Sequence, residues 1–76
     1  MRWEYRVVRN KSDNRYWFDI REVYDDGEGW TMNEIAPAGE TLDELRNDLI
    51  HMLVATSKPV LEEKNGRLVK VKESKE

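Results

Sequence analysis

The chain has 76 residues, of which 38% are hydrophobic and 38% are charged, and it carries a formal net charge of −3. A chain of this length makes one domain with a thin core, because small domains bury only about 60% of the surface that the unfolded chain exposes. The chain contains no cysteine, which excludes disulfides and thiolate metal sites. No stretch approaches the roughly 18 apolar residues of a membrane-spanning helix.

The distribution of charge indicates where in the cell the protein is expected and whether its partner is a nucleic acid or a protein. Arg2, Glu4 and Arg6 stand where a signal peptide has its apolar segment, so we expect a cytoplasmic protein. A negative net charge argues against a protein that coats nucleic acid, since phosphate binding depends on clustered Lys and Arg. The same charge suits a basic protein partner, but it also lies in the range that keeps any small domain soluble.

Two segments near the N-terminus have the alternating pattern of strands. Residues 3–8 and 16–24 alternate between two faces with a period of two, and the polar residues 10–14 between them predict a turn. Trp17 and Asp19 fall on one face of the second segment. Its other face carries three large side chains, Tyr16, Phe18 and Ile20.

A third strand is predicted next along the chain. Residues 26–29 read Asp-Gly-Glu-Gly and should close a hairpin. Asp-Gly favours the positive φ angles of tight hairpin turns, and the second glycine leaves room for a bulge or a longer loop. The strand would cover residues 30–35, with Trp30 and Met32 on one side and Ile35 on the other.

One helix is predicted after a turn that contains Pro37 and Gly39. Thr41 and Glu44 have the spacing of a capping box, in which the Thr41 hydroxyl accepts the N–H of Glu44 and the Glu44 carboxylate accepts the N–H of Thr41. The helix would end before Pro59, which cannot continue it. Its apolar stripe, expected to lie across the sheet, is Leu42, Leu45, Leu49, Met52, Leu53 and Thr56.

The C-terminal segment predicts one short strand or a hairpin. Asn65 and Gly66 form a strong turn signal, and residues 68–71 follow it as a short strand, whereas residues 72–76 have nothing to bury and should fray. Residues 1–71 thus form a single α+β domain. We expect a three- or four-stranded antiparallel sheet with one helix packed across it.

The residues that could support catalysis lack partners. His51, the only histidine, falls nearly opposite the leucine stripe, with no predictable nucleophile beside it. Asp19 and Glu22, with the aspartates that follow them, would suit magnesium, but pairing of Asp19 with Arg6 across the strands is the simpler interpretation. We therefore expect no enzymatic activity, no metal site and no cofactor.

Among the aromatic residues, Trp17 has several possible roles. The chain has three tryptophans and three tyrosines, and half of them alternate onto the face that the helix must cover. Trp17 lies on the other face with Arg21. It could stack an unpaired base, with Arg6 and Arg21 contacting phosphate, form part of a protein interface, or lie over its neighbours.

Ile50 and Val54 lie one turn apart on a side of the helix that is rotated away from the leucine stripe. A paired apolar spot on the exposed side of a helix indicates contact with a second chain. The alternative is that residues 60–71 cover both side chains within the same domain.

Residues 39–44, Gly-Glu-Thr-Leu-Asp-Glu, entering a helix after three strands, resemble the HicB-like family, the antitoxin side of HicA–HicB toxin–antitoxin pairs. The likeness covers about residues 16–54. It implies a degenerate RNase-H-like or double-stranded-RNA-binding-like fold that self-associates and occludes a small basic ribonuclease. The chain lacks the family's Pro-Gly-Cys-like segment and a DNA-binding domain after Pro59, so the resemblance is to a stand-alone domain.

These observations predict a non-catalytic, antitoxin-like protein-interaction domain. It would form a homodimer, bind a small basic protein and use Ile50, Val54 and Trp17 as interface residues. The alternative is a single-stranded RNA-binding module that uses Trp17 with Arg6 and Arg21.

Overall fold

The computed structural model describes residues 2–71, which form a five-stranded sheet and one helix. The elements are β1 (Trp3–Ser12), β2 (Arg15–Tyr24), β3 (Gly29–Trp30), α1 (Leu42–Ala55), β4 (Leu61–Lys64) and β5 (Arg67–Lys70). The strand order is β3-β2-β1-β4-β5. The α+β class is confirmed, but the expected sheet of three or four antiparallel strands is corrected to five strands in a mixed sheet, because β4 runs parallel to β1.

The parallel pair follows from the connection that contains α1. Parallel neighbours need a long crossover, whereas antiparallel neighbours can be joined by a tight turn. The helix provides such a crossover, and β4 then joins the free edge of β1 through the pair Val8 and Leu61. The alternation of a strand does not specify which edge the strand will join, so this pairing was not predictable from periodicity.

The β1–β2 hairpin is longer than predicted. All ten residues of each strand are paired, from Trp3 with Tyr24 to Ser12 with Arg15. The turn consists of Asp13, which has φ 55°, and Asn14. The predicted turn over residues 10–14 was too wide, because cross-strand pairing extends the ladder through polar residues.

The third strand is shorter than predicted. It covers only Gly29–Trp30, and residues 31–35 leave the ladder. Two isolated bonds still hold this segment to β2: the Thr31 N–H donates to the Glu22 carbonyl at 3.0 Å, and the Ile35 N–H donates to the Ile20 carbonyl at 2.8 Å.

The predicted hairpin between β2 and β3 is present, and a short 3-10 turn, Asp25–Gly27, connects the two strands. Asp26 has φ 60°, the positive value that the Asp-Gly pair predicted. Gly27 has φ +104°, and a Cβ atom there would lie 2.4 Å from the Leu68 carbonyl oxygen. This close approach of two backbones requires glycine.

The predicted start of the helix is confirmed. The Thr41 hydroxyl accepts the Glu44 N–H at 3.1 Å. The Glu44 carboxylate accepts the N–H of Glu40 at 2.9 Å instead of the expected N–H of Thr41. Gly39 is needed just before this cap, since a Cβ atom there would lie 2.5 Å from the Leu45 nitrogen.

The C-terminal segment forms the β4–β5 hairpin. Its turn is the predicted Asn65-Gly66 pair, whose φ angles are 56° and 81°, as a tight hairpin turn requires. The expected fraying of residues 72–76 concerns a segment outside the described residues.

The buried core lies on the side of the sheet that faces away from α1. Val8, Val23, Leu61 and Leu68 form one buried cluster, and Trp30 packs against it. We call this side of the sheet the core face. The other side, the helix face, carries Tyr5, Val7 and Ile20 by alternation and cross-strand pairing.

The helix turns only one side of the predicted stripe toward the sheet: Met52 is buried and Leu45 is half-buried. Met52 and Ala55 are its buried residues. Leu42, Leu49 and Leu53 of the predicted stripe remain 60%, 47% and 69% exposed, and Thr56 is also exposed. The orientation agrees with a hydrogen bond between Tyr5 and Asp48, because that contact places the Asp48 side of the helix against β1.

Candidate interaction surface

An open apolar groove runs between α1 and the edge of the sheet. One wall consists of Leu49, Met52 and Leu53 from the helix, and the other of Ile20 and the segment after β3. That segment contributes Glu34, Ile35 and Pro37. The groove exists because α1 buries Met52 and leaves its leucines beside the sheet.

Exposed apolar side chains outnumber buried ones in the described chain. Within residues 2–71, six hydrophobic residues are buried and eleven large hydrophobic residues are exposed. The exposed set is Trp3, Tyr16, Trp17, Phe18, Met32, Leu42, Leu49, Ile50, Leu53, Val54 and Val69. Single exposed apolar residues are ordinary, but Leu49 and Leu53 of this set border the groove together, and adjoining exposed apolar residues are typical of an interaction surface.

Ile50 and Val54 lie on the solvent side of α1. They are 55% and 51% exposed, so the C-terminal segment does not bury them. Val54 also borders a cleft with Trp3, His51 and Lys58. The two predicted interface residues on the helix are therefore accessible, and the larger apolar area is the groove on the other side of the leucines.

Trp17 is separate from these helix residues. It lies on the core face, 47% exposed, and borders a cleft with Val8 and Trp30. The structure therefore does not bring Trp17 together with Ile50 and Val54. A single contact surface on one copy cannot include all three.

Arg21 is buried on the same face, which the sequence did not indicate. It is 8% exposed. Its Nε and Nη2 atoms donate to the Asp19 carboxylate at 2.8 and 3.0 Å, and Nη1 donates to the carbonyls of Thr31 and Met32 at 2.9 and 2.8 Å. The expected pair between Asp19 and Arg6 is wrong, because Arg21 takes both carboxylate oxygens.

Arg6 is also engaged within the domain. Its Nη2 donates to the Pro59 carbonyl at 2.6 Å and its Nη1 to Glu4 at 3.3 Å. Lys58 donates to the same Glu4 carboxylate at 2.5 Å. These partners, Lys58 first, lower the pKa of Glu4 below its ordinary value. These contacts of Glu4 and Arg6 with Lys58 and Pro59 join β1 to the segment that leads into β4.

Two cations lie against one aromatic ring, that of Tyr16, at the turn end of the β1–β2 hairpin. The Arg9 guanidinium lies 4.5 Å from the centre of the Tyr16 ring and the Lys11 ammonium 5.8 Å from it. Arg9 also donates to Glu62 at 2.7 Å. Such cation–π contacts hold the ring in place. Lys11 pairs with Tyr16 across the hairpin. The predicted first strand ended at residue 8 and therefore did not indicate this contact.

His51 is exposed, and Asp48 precedes it by three residues on the helix. Hydrogen bonds from Tyr5 and then from the Ala38 N–H lower the pKa of Asp48. Asp48 therefore holds the helix in place. Among the described residues that border the His51 cleft, none is a serine, threonine or cysteine. Within residues 2–71, no group of three His, Asp or Glu side chains is placed to hold a metal ion.

No family model matches the chain, and no curated protein or solved structure is significantly similar to it. The resemblance to HicB-like antitoxins therefore stays a prediction. Within residues 2–71, no helix has the length and apolar character that crossing a bilayer requires.

Proposed function

We propose that the protein is a non-catalytic interaction domain that associates with a second copy of itself through the groove side of α1. The observation that carries the proposal is the exposure of Leu49 and Leu53 beside Ile20 and Ile35. Association would remove this apolar surface from water at a gain of about 25 cal/mol per Å².

The small buried core supports the same proposal. In a domain with six buried hydrophobic residues among those described, covering Leu49 and Leu53 would add substantially to the apolar area that folding buries. Small domains often obtain from oligomerisation the stability that one thin core cannot provide. Self-association would thus contribute to stability as well as to function.

The solvent side of α1 is the proposed site for a different protein. Ile50 and Val54 stay accessible when the groove side is covered, because they lie on the other side of the leucines. The net charge of −3 favours a partner with a basic surface. A HicB-like role, in which the domain occludes a small basic protein, fits this arrangement.

The stack of Arg9 on Tyr16 favours a second candidate function, the binding of single-stranded RNA at the hairpin end. RNA binding through Arg6 and Arg21 has less support, since both guanidinium groups already donate hydrogen bonds to protein groups. Fluorescence titration with a short unstructured RNA separates the two functions. Salt-sensitive binding at sub-micromolar concentration that Tyr16→Ala abolishes would replace the protein-interaction proposal.

The dependence of stability on protein concentration tests self-association. Folding that is linked to dimerisation makes the midpoint of thermal unfolding rise with concentration. We expect such a rise for the wild type and a smaller one for Leu53→Glu. Asn47→Glu adds the same charge at another exposed position of α1 and should behave as the wild type does. A concentration-independent midpoint in the wild type would contradict the proposal.

A further inference from the structure

The outer edge of β2 is uncovered over the half that lies nearest the β1–β2 turn. The ladder with β3 contains only Val23 and Tyr24, and Thr31 and Ile35 reach the carbonyls of Glu22 and Ile20. No pairing with the outer edge occurs from Arg15 to Asp19 among residues 2–71.

The direction of the backbone groups along this edge can be stated residue by residue. Glu22 and Ile20 direct their carbonyls outward, away from β1. Since the hydrogen-bonding direction alternates along an antiparallel strand, Phe18 and Tyr16 also direct their N–H and C=O groups outward. These groups are free to pair with another strand.

The side chains on this edge are apolar and exposed as well. Tyr16 and Phe18 are 52% and 59% exposed on the helix face, and Trp17 is 47% exposed on the core face. Monomeric proteins protect a free edge with proline, lysine, a bulge or a covering loop. Residues 15–19 contain no proline or lysine, and their charged residues, Arg15 and Asp19, stand only at the two ends, so the central residues 16–18 lack this protection.

We propose that a second copy of the chain pairs with this edge, so that two β2 strands run antiparallel about a two-fold axis at Trp17. This inference rests on the proposed self-association and specifies its geometry. In this register Tyr16 lies opposite Phe18 of the second copy, and Arg15 lies opposite Asp19. The two sheets become one continuous sheet.

Two features favour this register. Tyr16 and Phe18 both direct their backbone groups outward, so each such pair exchanges two N–H···O=C bonds. Trp17 meets its own copy at a position without backbone bonds, where side chains approach most closely.

The groove side of α1 lies next to the same edge. Asp19 and Ile20 of β2 border the groove together with Leu49 and Leu53. A second β2 strand beside residues 15–19 would extend the sheet past the groove. Tyr16 and Phe18 of the second copy would then lie on the helix face of the sheet, toward the exposed leucines of α1. Edge pairing and covering of the groove would therefore belong to one interface.

A disulfide at the two-fold axis tests the register, since the chain contains no cysteine of its own. Opposite residues without backbone bonds have Cα atoms about 4.5 Å apart, which is within disulfide reach. We expect Trp17→Cys to form a covalent dimer under mild oxidation. Lys11→Cys, which is exposed on β1, is the matched control and should stay monomeric on denaturing gels.

A second pair of variants addresses the backbone bonds. Phe18→Pro removes an N–H that β1 does not use, and proline is tolerated on such an edge. Phe18→Pro should weaken dimerisation about tenfold compared with Phe18→Val. In the two-fold dimer each copy loses one backbone hydrogen bond, and each such bond contributes only modestly to the free energy of association. Equal dimerisation by the two variants would overturn the edge pairing.

The results for the wild type and for Trp17→Cys distinguish pairing at the β2 edge from self-association in general. A wild type that dimerises while Trp17→Cys forms no covalent dimer contradicts the edge pairing and leaves self-association in place. A wild type that is monomeric at every concentration contradicts both. A covalent dimer of Trp17→Cys, absent for Lys11→Cys, together with the loss in Phe18→Pro supports the register.

Discussion

The Tyr5 hydroxyl donates a hydrogen bond to the Asp48 carboxylate over 2.5 Å and so joins the first strand to the helix across 43 residues of sequence. The other Asp48 oxygen accepts the Ala38 N–H at 2.9 Å. One carboxylate thereby fixes the helix to the sheet and to the segment that precedes the helix. This arrangement turns Met52 inward and leaves the leucines exposed.

Tyr5→Phe should lower the free energy of unfolding by about 1 kcal/mol, more if the Asp48 charge is left poorly solvated. Chemical denaturation measures the loss. The control is Tyr24→Phe, whose hydroxyl donates to Glu22 on the same strand at 2.6 Å and joins no separate elements. An equal loss in both variants would mean that the contact between Tyr5 and Asp48 does not hold the helix in place.

The same pair predicts a pH dependence. The bond to Asp48 raises the pKa of Tyr5 from 10.0 to about 12. Between these values the unfolded chain loses the phenol proton and the folded chain keeps it, so stability is present below pH 10 and falls as the pH rises toward 12. Tyr5→Phe should lack this part of the alkaline loss.

At acidic pH the direction of the dependence is opposite, and stability falls as the pH falls. The pKa of Asp48 is lowered, mainly by the Tyr5 hydroxyl, so its contribution is present above the ordinary value of 3.8 and is lost as the pH falls through the lowered value. The stability difference between wild type and Tyr5→Phe should therefore shrink on acidification. Denaturation midpoints across both pH ranges provide the measurement, and a constant difference would contradict the assignment.

Thr41→Ala should destabilise the protein by about 1 kcal/mol, the usual effect of losing an N-cap side chain. The physical reason is that the Glu44 N–H, which now donates to the Thr41 hydroxyl at 3.1 Å, loses its side-chain acceptor. Thr41→Ser keeps the hydroxyl and should retain most of the stability. If alanine and serine behave alike in denaturation, the cap does not stabilise the helix.

Arg21→Gln should cost about 3 kcal/mol, because it leaves the Asp19 carboxylate without its cation in a largely buried position. It also removes the donor to the carbonyls of Thr31 and Met32, so the segment after β3 should loosen. Amide hydrogen exchange of residues 31–35 reports that loosening.

The control for Arg21 is Arg46→Gln. Arg46 pairs with Asp43 at 3.3 Å, but their side chains are 63% and 88% exposed, and exposed pairs of this kind contribute little. A similar loss of stability in Arg21→Gln and Arg46→Gln would show that the buried network is not what holds this segment.

Features set by neighbouring residues were predictable from the sequence. The cap at Thr41 and the turn at Asn65-Gly66 depend on atoms a few positions apart, and both occur as predicted. The side of the helix that is buried depends on Tyr5, which lies far away in sequence. Helical periodicity identifies an apolar stripe but does not specify whether the sheet or a second chain will cover it.

The candidate surface was predictable only in part. The apolar pair at Ile50 and Val54 is exposed as the pattern indicated. The burial of Arg21 was not predictable, since it depends on carbonyls that become available only when β3 ends early. The groove was missed for the same reason, because the shortened strand leaves Ile35 beside the helix instead of in the ladder.

Sedimentation equilibrium of the wild type, Leu53→Glu, Ile50→Glu and Asn47→Glu tests the central claim most directly. The account predicts a dimeric wild type, a marked loss of dimer in Leu53→Glu, and dimers in Asn47→Glu and Ile50→Glu, since the last two changes lie outside the groove side of α1. Loss of the dimer in Ile50→Glu but not in Leu53→Glu would move the interface to the solvent side of the helix. A monomeric wild type, or a Leu53→Glu variant that dimerises as strongly as the wild type, would contradict the account.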